Sequence, residues 1–131
     1  MLDSYENMVV TYYRGDYMVL GVVIYGMCAM IMIIIGIVQY RSEEPVWFYT
    51  GETPPKKEEL TDVGSWNKKH GRMWMIYGLI IILSAIIGCV MGDSIWCVIP
   101  MMSGVCVPLV FMIIYHQHLV KKYRRGGGDH E

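Results

Sequence analysis

The sequence has few charged residues and no excess of either sign. Only 18% of its 131 residues are charged, and the formal net charge is -1. Without a basic excess we expect no nucleic-acid partner. Four cysteines without CxxC spacing do not make a disulfide scaffold, and 54% hydrophobic residues exclude a disordered chain. A mean hydropathy of +0.36 points instead to a protein of the lipid bilayer.

Three long segments lack Asp, Glu, Lys, Arg and His altogether: residues 17–40, 73–92 and 94–115. They contain 24, 20 and 22 residues, and a hydrocarbon core of about 30 Å needs about 20 residues of helix. A soluble domain of this length could not cover three apolar helices, and an open sheet would leave backbone groups unpaired in lipid. The pattern therefore predicts an all-α integral membrane protein with three transmembrane helices.

The basic residues are distributed unevenly between the two sides. Residues 1–16 carry one Lys or Arg, the loop 41–72 carries six, and the tail 116–131 carries four. The positive-inside rule then predicts a multi-pass protein of the plasma (inner) membrane, with the N-terminus outside and the loop and tail in the cytoplasm. The charged tail before residue 17 indicates an anchor that is retained. We expect the glycine-rich end of the chain to be disordered.

Small residues and prolines recur at a spacing of four in the second and third spans. The two stripes are Ser84, Gly88 and Gly92, and Pro100, Gly104 and Pro108. Since only residues 92–94 separate the spans, we expect a tight antiparallel hairpin in which the stripes face each other. Asp93 is placed to cap the third helix. The alternative is that glycine is simply common in transmembrane helices.

Residues that carry chemistry are scarce and poorly grouped. No metalloprotease, hydrolase or phosphate-binding motif occurs, so we expect no catalytic residues, no metal, no cofactor and no enzyme activity. His116 and His118 lie two apart and point to different helix faces, which is a weak metal signal. Cys89 and Cys97 are expected to be small buried residues, with a disulfide between them as the alternative.

The loop 41–72 has the richest pattern in the chain. Trp47 lies in an aromatic cluster that suits the headgroup level of a membrane. From Lys56 onward, apolar residues recur every three or four positions, which predicts an amphipathic helix leading into the second span. A solvated linker is the alternative. His70 is a candidate proton relay or sensor among bases. We predict a partner-binding surface formed by Trp47, Trp66, Asn67, His70 and Trp74.

The chain carries a series of short motifs: Tyr49-Thr50-Gly51-Glu52, Pro54-Pro55, Trp66-Asn67, His70-Gly71, Met73-Trp74 and Tyr77-Gly78, with Gly92-Asp93-Ser94 and Tyr115-His116 further on. With these motifs the chain resembles a family of small, uncharacterised three-span membrane proteins of Clostridia and other Bacillota. The resemblance covers the chain from about Pro45 to Tyr123 and implies no assigned activity. Residues 67–78 are also similar to the segment before a span in SdpI-like proteins. That similarity implies immunity to a secreted toxic peptide, or signalling.

These observations favour a non-enzymatic accessory or interaction protein. We expect its partner to be another membrane protein, a second copy of itself or the lipid bilayer. The alternative is a subunit of an oligomeric channel or small-solute transporter, with the proline-containing third span lining the pore. Self-contained ion-coupled transport is disfavoured because the spans carry no ionisable group at membrane depth.

Overall fold

The computed structural model describes residues 1–48, 51, 53–92 and 94–125. It contains three long helices, α1 (Leu2–Arg41), α2 (Val63–Met91) and α3 (Val98–Tyr123). Two short 3-10 turns precede α2 and α3, and the described residues form no strand, only one isolated bridge between Leu60 and Arg124. All three helical segments are long and apolar enough to cross a membrane. The predicted all-α class, with three helices long and apolar enough to span a membrane, is thereby confirmed for the described residues.

Each helix extends beyond the uncharged run from which it was predicted. The predicted tail 1–16 belongs to α1, whose 40 residues make it about 60 Å long. The segment after Lys56 forms a 3-10 turn at Lys57–Glu59, and α2 begins only at Val63, where Asp62 caps it. The predictions for Asp93 and the end of the chain, residues 126–131, lie outside the described residues.

Helix α2 runs antiparallel to both of its neighbours and contacts each of them along its length. Its closest approach to α1 depends on glycine. A Cβ atom at Gly71 would lie 2.5 Å from the carbonyl oxygen of Gly36 and 2.6 Å from the backbone nitrogen of Tyr40. One Cβ at Gly78 would lie 2.8 Å from the carbonyl oxygen of Ala29. Because these neighbours are backbone atoms, the two helices can pack this closely only without side chains there.

The contact between α2 and α3 involves members of both predicted stripes. A Cβ at Gly104 would overlap the side chain of Ser84, and one at Gly88 would lie 2.7 Å from Cγ of Met101. Gly92 ends α2 with a φ of 70°, a conformation that suits glycine. The hairpin end, defined as residues 84–92 and 94–104, is therefore packed by small residues.

The two prolines of α3 differ in their structural effect. Pro100 lies in the first turn of α3, where its missing N–H has no partner within the helix to lose. Pro108 lies inside the helix and removes the donor to the carbonyl of Gly104. The hydroxyl of Tyr77 donates to the neighbouring carbonyl of Val105 at 3.2 Å. All four cysteines are unbonded, and the prediction that Cys89 and Cys97 are buried is wrong, because Cys89 is exposed and Cys97 is half-buried.

The buried side chains are concentrated away from the hairpin end. One cluster joins the three helices through Ala29, Met73, Tyr77 and Met112. A second cluster lies at the loop end, which we define as residues 42–48 and 53–62, the first turns of α2 and the last turns of α3. The largest fully buried side chains all belong to α2 and α3 at this end: Trp66, Leu119, His70 and Asn67.

Candidate functional site: a capped histidine pair at the loop end

The first turn of α2 is held by Asp62, which precedes it. One carboxylate oxygen accepts from the backbone N–H of Ser65 at 2.9 Å, and the other accepts from the Ser65 hydroxyl at 2.6 Å. These bonds from Ser65 lower the pKa of Asp62, because they stabilise the ionised carboxylate. The cap fixes where α2 begins and therefore which of the following side chains face the interior.

Asn67 joins α2 to the segment that follows α1. Its amide nitrogen donates to the carbonyls of Ser42 and Glu44, both at 2.8 Å, and its oxygen accepts from the N–H of Val46 at 3.0 Å. The indole N–H of Trp66 donates to the carbonyl of Val46 at 2.7 Å. The adjacent side chains of Trp66 and Asn67 thus provide hydrogen-bond partners for backbone groups within residues 42–46, a segment that does not pair as a strand.

A histidine pair lies directly below this contact. His70 and His116 are buried, with 0% and 5% of their surfaces exposed. Nδ1 of His70 is 2.9 Å from the carbonyl oxygen of Trp66, and its Nε2 is 2.9 Å from Nδ1 of His116. One histidine comes from α2 and the other from α3, so this hydrogen bond links the two helices.

The hydrogen-bond pattern determines which nitrogens carry protons. A carbonyl only accepts, so Nδ1 of His70 must donate to Trp66. In the neutral pair, Nε2 of His70 therefore accepts, and Nδ1 of His116 donates to it. One added proton makes an imidazolium without breaking that bond, because either ring can then be the donor. A second proton would place two N–H groups against each other, so the pair holds at most one extra proton intact.

Aromatic rings enclose the pair. Phe48 stacks on His116, with ring centroids 4.7 Å apart and planes 16° apart. The indole of Trp66 contacts His70 at 4.2 Å between centroids, and Tyr123 packs against Trp66 at 6.5 Å. The pair is buried beside these rings, and the low local dielectric strengthens the hydrogen bond between the histidines.

The C-terminal end of α3 completes the cap through backbone contacts. The N–H of Thr61 donates to the carbonyl of Tyr123 at 2.8 Å, and the backbone N–H of Arg125 donates to the backbone carbonyl of Glu59 at 2.6 Å. The guanidinium of Arg124 lies 3.4 Å from the carboxylate of Glu59. Loop and tail are therefore joined to each other as well as to α2.

A surface ion pair lies beside the cap. Nζ of Lys57 is 2.6 Å from the carboxylate of Glu44. The hydrogen bond to Glu44 and its negative charge raise the pKa of Lys57. Both side chains are well exposed, so this pair contributes little to stability.

The five residues predicted to bind a partner occupy different environments. Trp66, Asn67 and His70 are buried and together hold the loop end. Trp47 has 49% of its surface exposed between two buried neighbours. Trp74 is half-buried near Phe48, and its indole N–H has no hydrogen-bond partner among the described residues. Binding of a partner by these residues stays a prediction.

His116, Phe48, Val46 and Tyr123 belong to the site but were not among the residues predicted to bind a partner. The missed signal is one of spacing, because His70 precedes position 93 by 23 residues and His116 follows it by 23. In an antiparallel hairpin turning at that position, both histidines lie about 35 Å from the turn. From the sequence, His116 was considered only with His118, its near neighbour in the chain, and its pairing with His70 was missed.

The facing nitrogens of the pair are already joined to each other, and the described residues contain no group of three His, Cys, Asp or Glu side chains arranged for a metal ion. The described residues thus form three helices able to cross a membrane, with a capped polar end. No protein-family model, no curated protein and no solved structure matches the chain.

Proposed function

We propose that the chain is a non-enzymatic accessory protein of the bacterial plasma membrane that docks a membrane-protein partner on its loop end. The supporting observation is Trp47, a large aromatic side chain that is 49% exposed while Val46 and Phe48 on either side are buried. Hydrogen bonds from Trp66 and Asn67 fix the backbone at Val46, so the indole is presented from an ordered segment. Exposed tryptophans on ordered surfaces are frequent anchors of protein interfaces.

In this proposal the buried members of the predicted surface act indirectly. Trp66, Asn67 and His70 shape the surface, and the partner contacts Trp47 and its exposed surroundings. Rigid presentation lowers the entropy that binding costs, because the anchor does not have to be ordered on contact.

The proposed orientation places this surface in the cytoplasm and the hairpin end outside. It rests on the ten Lys and Arg residues in the loop and tail against one elsewhere. Alkaline phosphatase, which is active only outside the cytoplasm, fused after Arg125 should be inactive, whereas fusion within the hairpin should be active. The reverse result would contradict the orientation.

The experiment for partner docking compares two exposed tryptophans at opposite ends of the bundle. Trp96, at the hairpin end, is 63% exposed and serves as the matched control. After brief crosslinking in native membranes, a stoichiometric partner should be captured by the unaltered protein and by Trp96→Ala but lost with Trp47→Ala. Equal capture by both variants would contradict the proposal. Purification as a stable oligomer without a partner would favour the channel-subunit alternative, and solute flux in proteoliposomes would test it.

The similarity to SdpI-like proteins supports a narrower form of the same proposal, in which the docked complex gives immunity. Expression should then protect a sensitive cell from a membrane-active peptide. Protection should disappear with Trp47→Ala and persist with Trp96→Ala. Absence of protection by the unaltered protein would remove immunity and leave partner docking to its own test.

A further inference from the structure

A long groove lies between α2 and α3 on the outer surface of the bundle. The two helices touch closely at Ser84 and Gly104 and again at His70 and His116. Between these contacts the groove has a volume of about 670 Å³, which is within the range of small-molecule sites. It belongs neither to the histidine pair nor to the surface around Trp47.

The interior of the groove is apolar. Its floor contains the buried side chains of Met73, Tyr77 and Met112, and its walls include Ile76 and Phe111, which are both exposed. From residue 72 to residue 80 it follows α2 for about 12 Å. Since these residues lie inside spanning helices, the groove faces lipid and suits a hydrocarbon chain.

Two cations stand at the end of the groove nearest the loop. Lys69 and Arg72 both line it, and they lie three positions apart on α2, so their side chains are neighbours on one helix face. No acidic residue lines the groove, and neither cation forms an ion pair among the residues the structure describes. Nζ of Lys69 lies 5.5 Å from the ring centroid of Tyr123, which orients the ammonium group.

We propose that this groove binds one anionic phospholipid from the membrane leaflet at the loop end. An acyl chain lies on Met73, Tyr77 and Met112, and the lipid phosphate is bound by Lys69 and Arg72. Ammonium and guanidinium groups are the usual ligands of phosphate, and basic pockets between helices recognise anionic headgroups. A zwitterionic lipid supplies the same chain but brings a cationic headgroup to two cations, so the site favours a net negative charge.

The headgroup half of the site is tested by lipid titration of the purified full-length chain in mild detergent, read by native mass spectrometry. Phosphatidylglycerol should bind saturably as one molecule, at least about tenfold more tightly than phosphatidylcholine. Lys69→Gln with Arg72→Gln should remove that preference. The matched control, Lys121→Gln with Arg125→Gln, removes the same charge at the same end outside this groove, with neither side chain over the Tyr123 ring, and should retain the preference.

The chain half of the site is tested by filling the groove. Val107 lines it and is 51% exposed, while Val110, one turn later on α3, is similarly exposed and does not line it. Val107→Trp should weaken binding of both lipids, and Val110→Trp should leave binding unchanged. Helical content and melting temperature of all variants should match the unaltered protein, which excludes misfolding as the cause.

Three results would overturn the proposal. If both double variants of basic residues lost the preference for phosphatidylglycerol equally, the lipid would be attracted only by general surface charge. Equal effects of Val107→Trp and Val110→Trp would mean that no chain occupies the groove. Displacement of phosphatidylglycerol by millimolar glycerol 3-phosphate would mean that a free phosphate ligand, and not a lipid, is bound.

Discussion

The two ends of the bundle are stabilised in different ways. At the loop end, side chains bond to backbone groups and to each other, and Trp66, His70 and Leu119 are fully buried. At the hairpin end, Val90 and Ile95 are more than four-fifths exposed, and small residues make the contacts. Hydrogen bonds between polar groups stabilise the loop end, where the basic residues lie. The hairpin end is apolar and depends on close backbone packing and surrounding lipid.

This contrast indicates which parts of the chain tolerate change. An exposed apolar residue facing lipid can be exchanged for another with little loss, because lipid fills the space. A buried amide or imidazole has a fixed set of partners, and its removal leaves those partners without hydrogen bonds.

The largest effect is expected for a side chain placed between α1 and α2. Gly36→Leu would put its Cβ 2.6 to 2.8 Å from the backbone of Gly71 and from Met75, and backbone atoms cannot move aside cheaply. We expect the free energy of unfolding to fall by about 3 kcal/mol or more. Gly26→Leu is the control, because a Cβ there meets nothing within 4 Å. Unfolding in mixed detergent and dodecyl sulfate would measure both, and equal losses would contradict the packing.

The second effect concerns the amide that fixes the loop end. Asn67→Ala leaves the carbonyls of Ser42 and Glu44 and the N–H of Val46 without their partner, for an expected loss of about 2 kcal/mol. Amide hydrogen exchange at Val46 should also accelerate. Asn7→Ala, an exposed asparagine at the other end of α1, should change neither measurement. Unchanged exchange at Val46 would refute the role of Asn67.

The third effect separates two nearby histidines. His116→Phe removes the donor to His70 and should lower stability by about 1 kcal/mol, whereas the exposed His118→Phe should be neutral. Nitrogen NMR of His70 gives a second readout. A proton should remain on Nδ1 in both variants, because the Trp66 carbonyl still accepts it, while the Nε2 signal should shift only with His116→Phe. Identical Nε2 signals in the two variants would contradict the pairing.

The smallest effect depends on pH at the start of α2. Because hydrogen bonds from Ser65 hold the folded pKa of Asp62 below its ordinary value of 3.8, its contribution is complete above that value and is lost as the pH falls below it. Asp62→Asn should lower the melting temperature slightly at neutral pH. It should also remove the part of the decrease in melting temperature at acid pH that comes from protonation of Asp62. Melting temperatures between pH 3 and pH 7 would show this difference. An unaltered acid dependence in Asp62→Asn would assign it to other groups.

The spanning helices could be predicted from the sequence because the bilayer imposes a length and forbids charge, and both leave a direct record in the residue order. The actual helix ends could not be predicted in the same way. Residues 1–16 are polar enough to lie outside a membrane and are nevertheless helical. Hydropathy reports where a helix can be buried in lipid, whereas capping and local propensity decide where it stops.

The site was predictable only in part, because its residues come from distant positions. The periodicity of Trp66 and His70 marks one face of α2 but does not show what covers that face. His116 and Tyr123 cover it from α3, and residues 46–48 cover it from beyond α1. The glycines Gly36 and Gly71 were likewise overlooked, since each becomes significant only beside the other.

The position of Tyr123 and His116 on α3 sets an order of assembly during synthesis. Translation proceeds toward the C-terminus, so α1 and α2 can pair through Gly36 and Gly71 before α3 exists. Trp66 and His70 are completed only after α3 has been translated, since their remaining partners lie on that helix. The loop end therefore matures later than the contact between α1 and α2, and a nascent chain that stops short of α3 displays an unfinished surface to quality control.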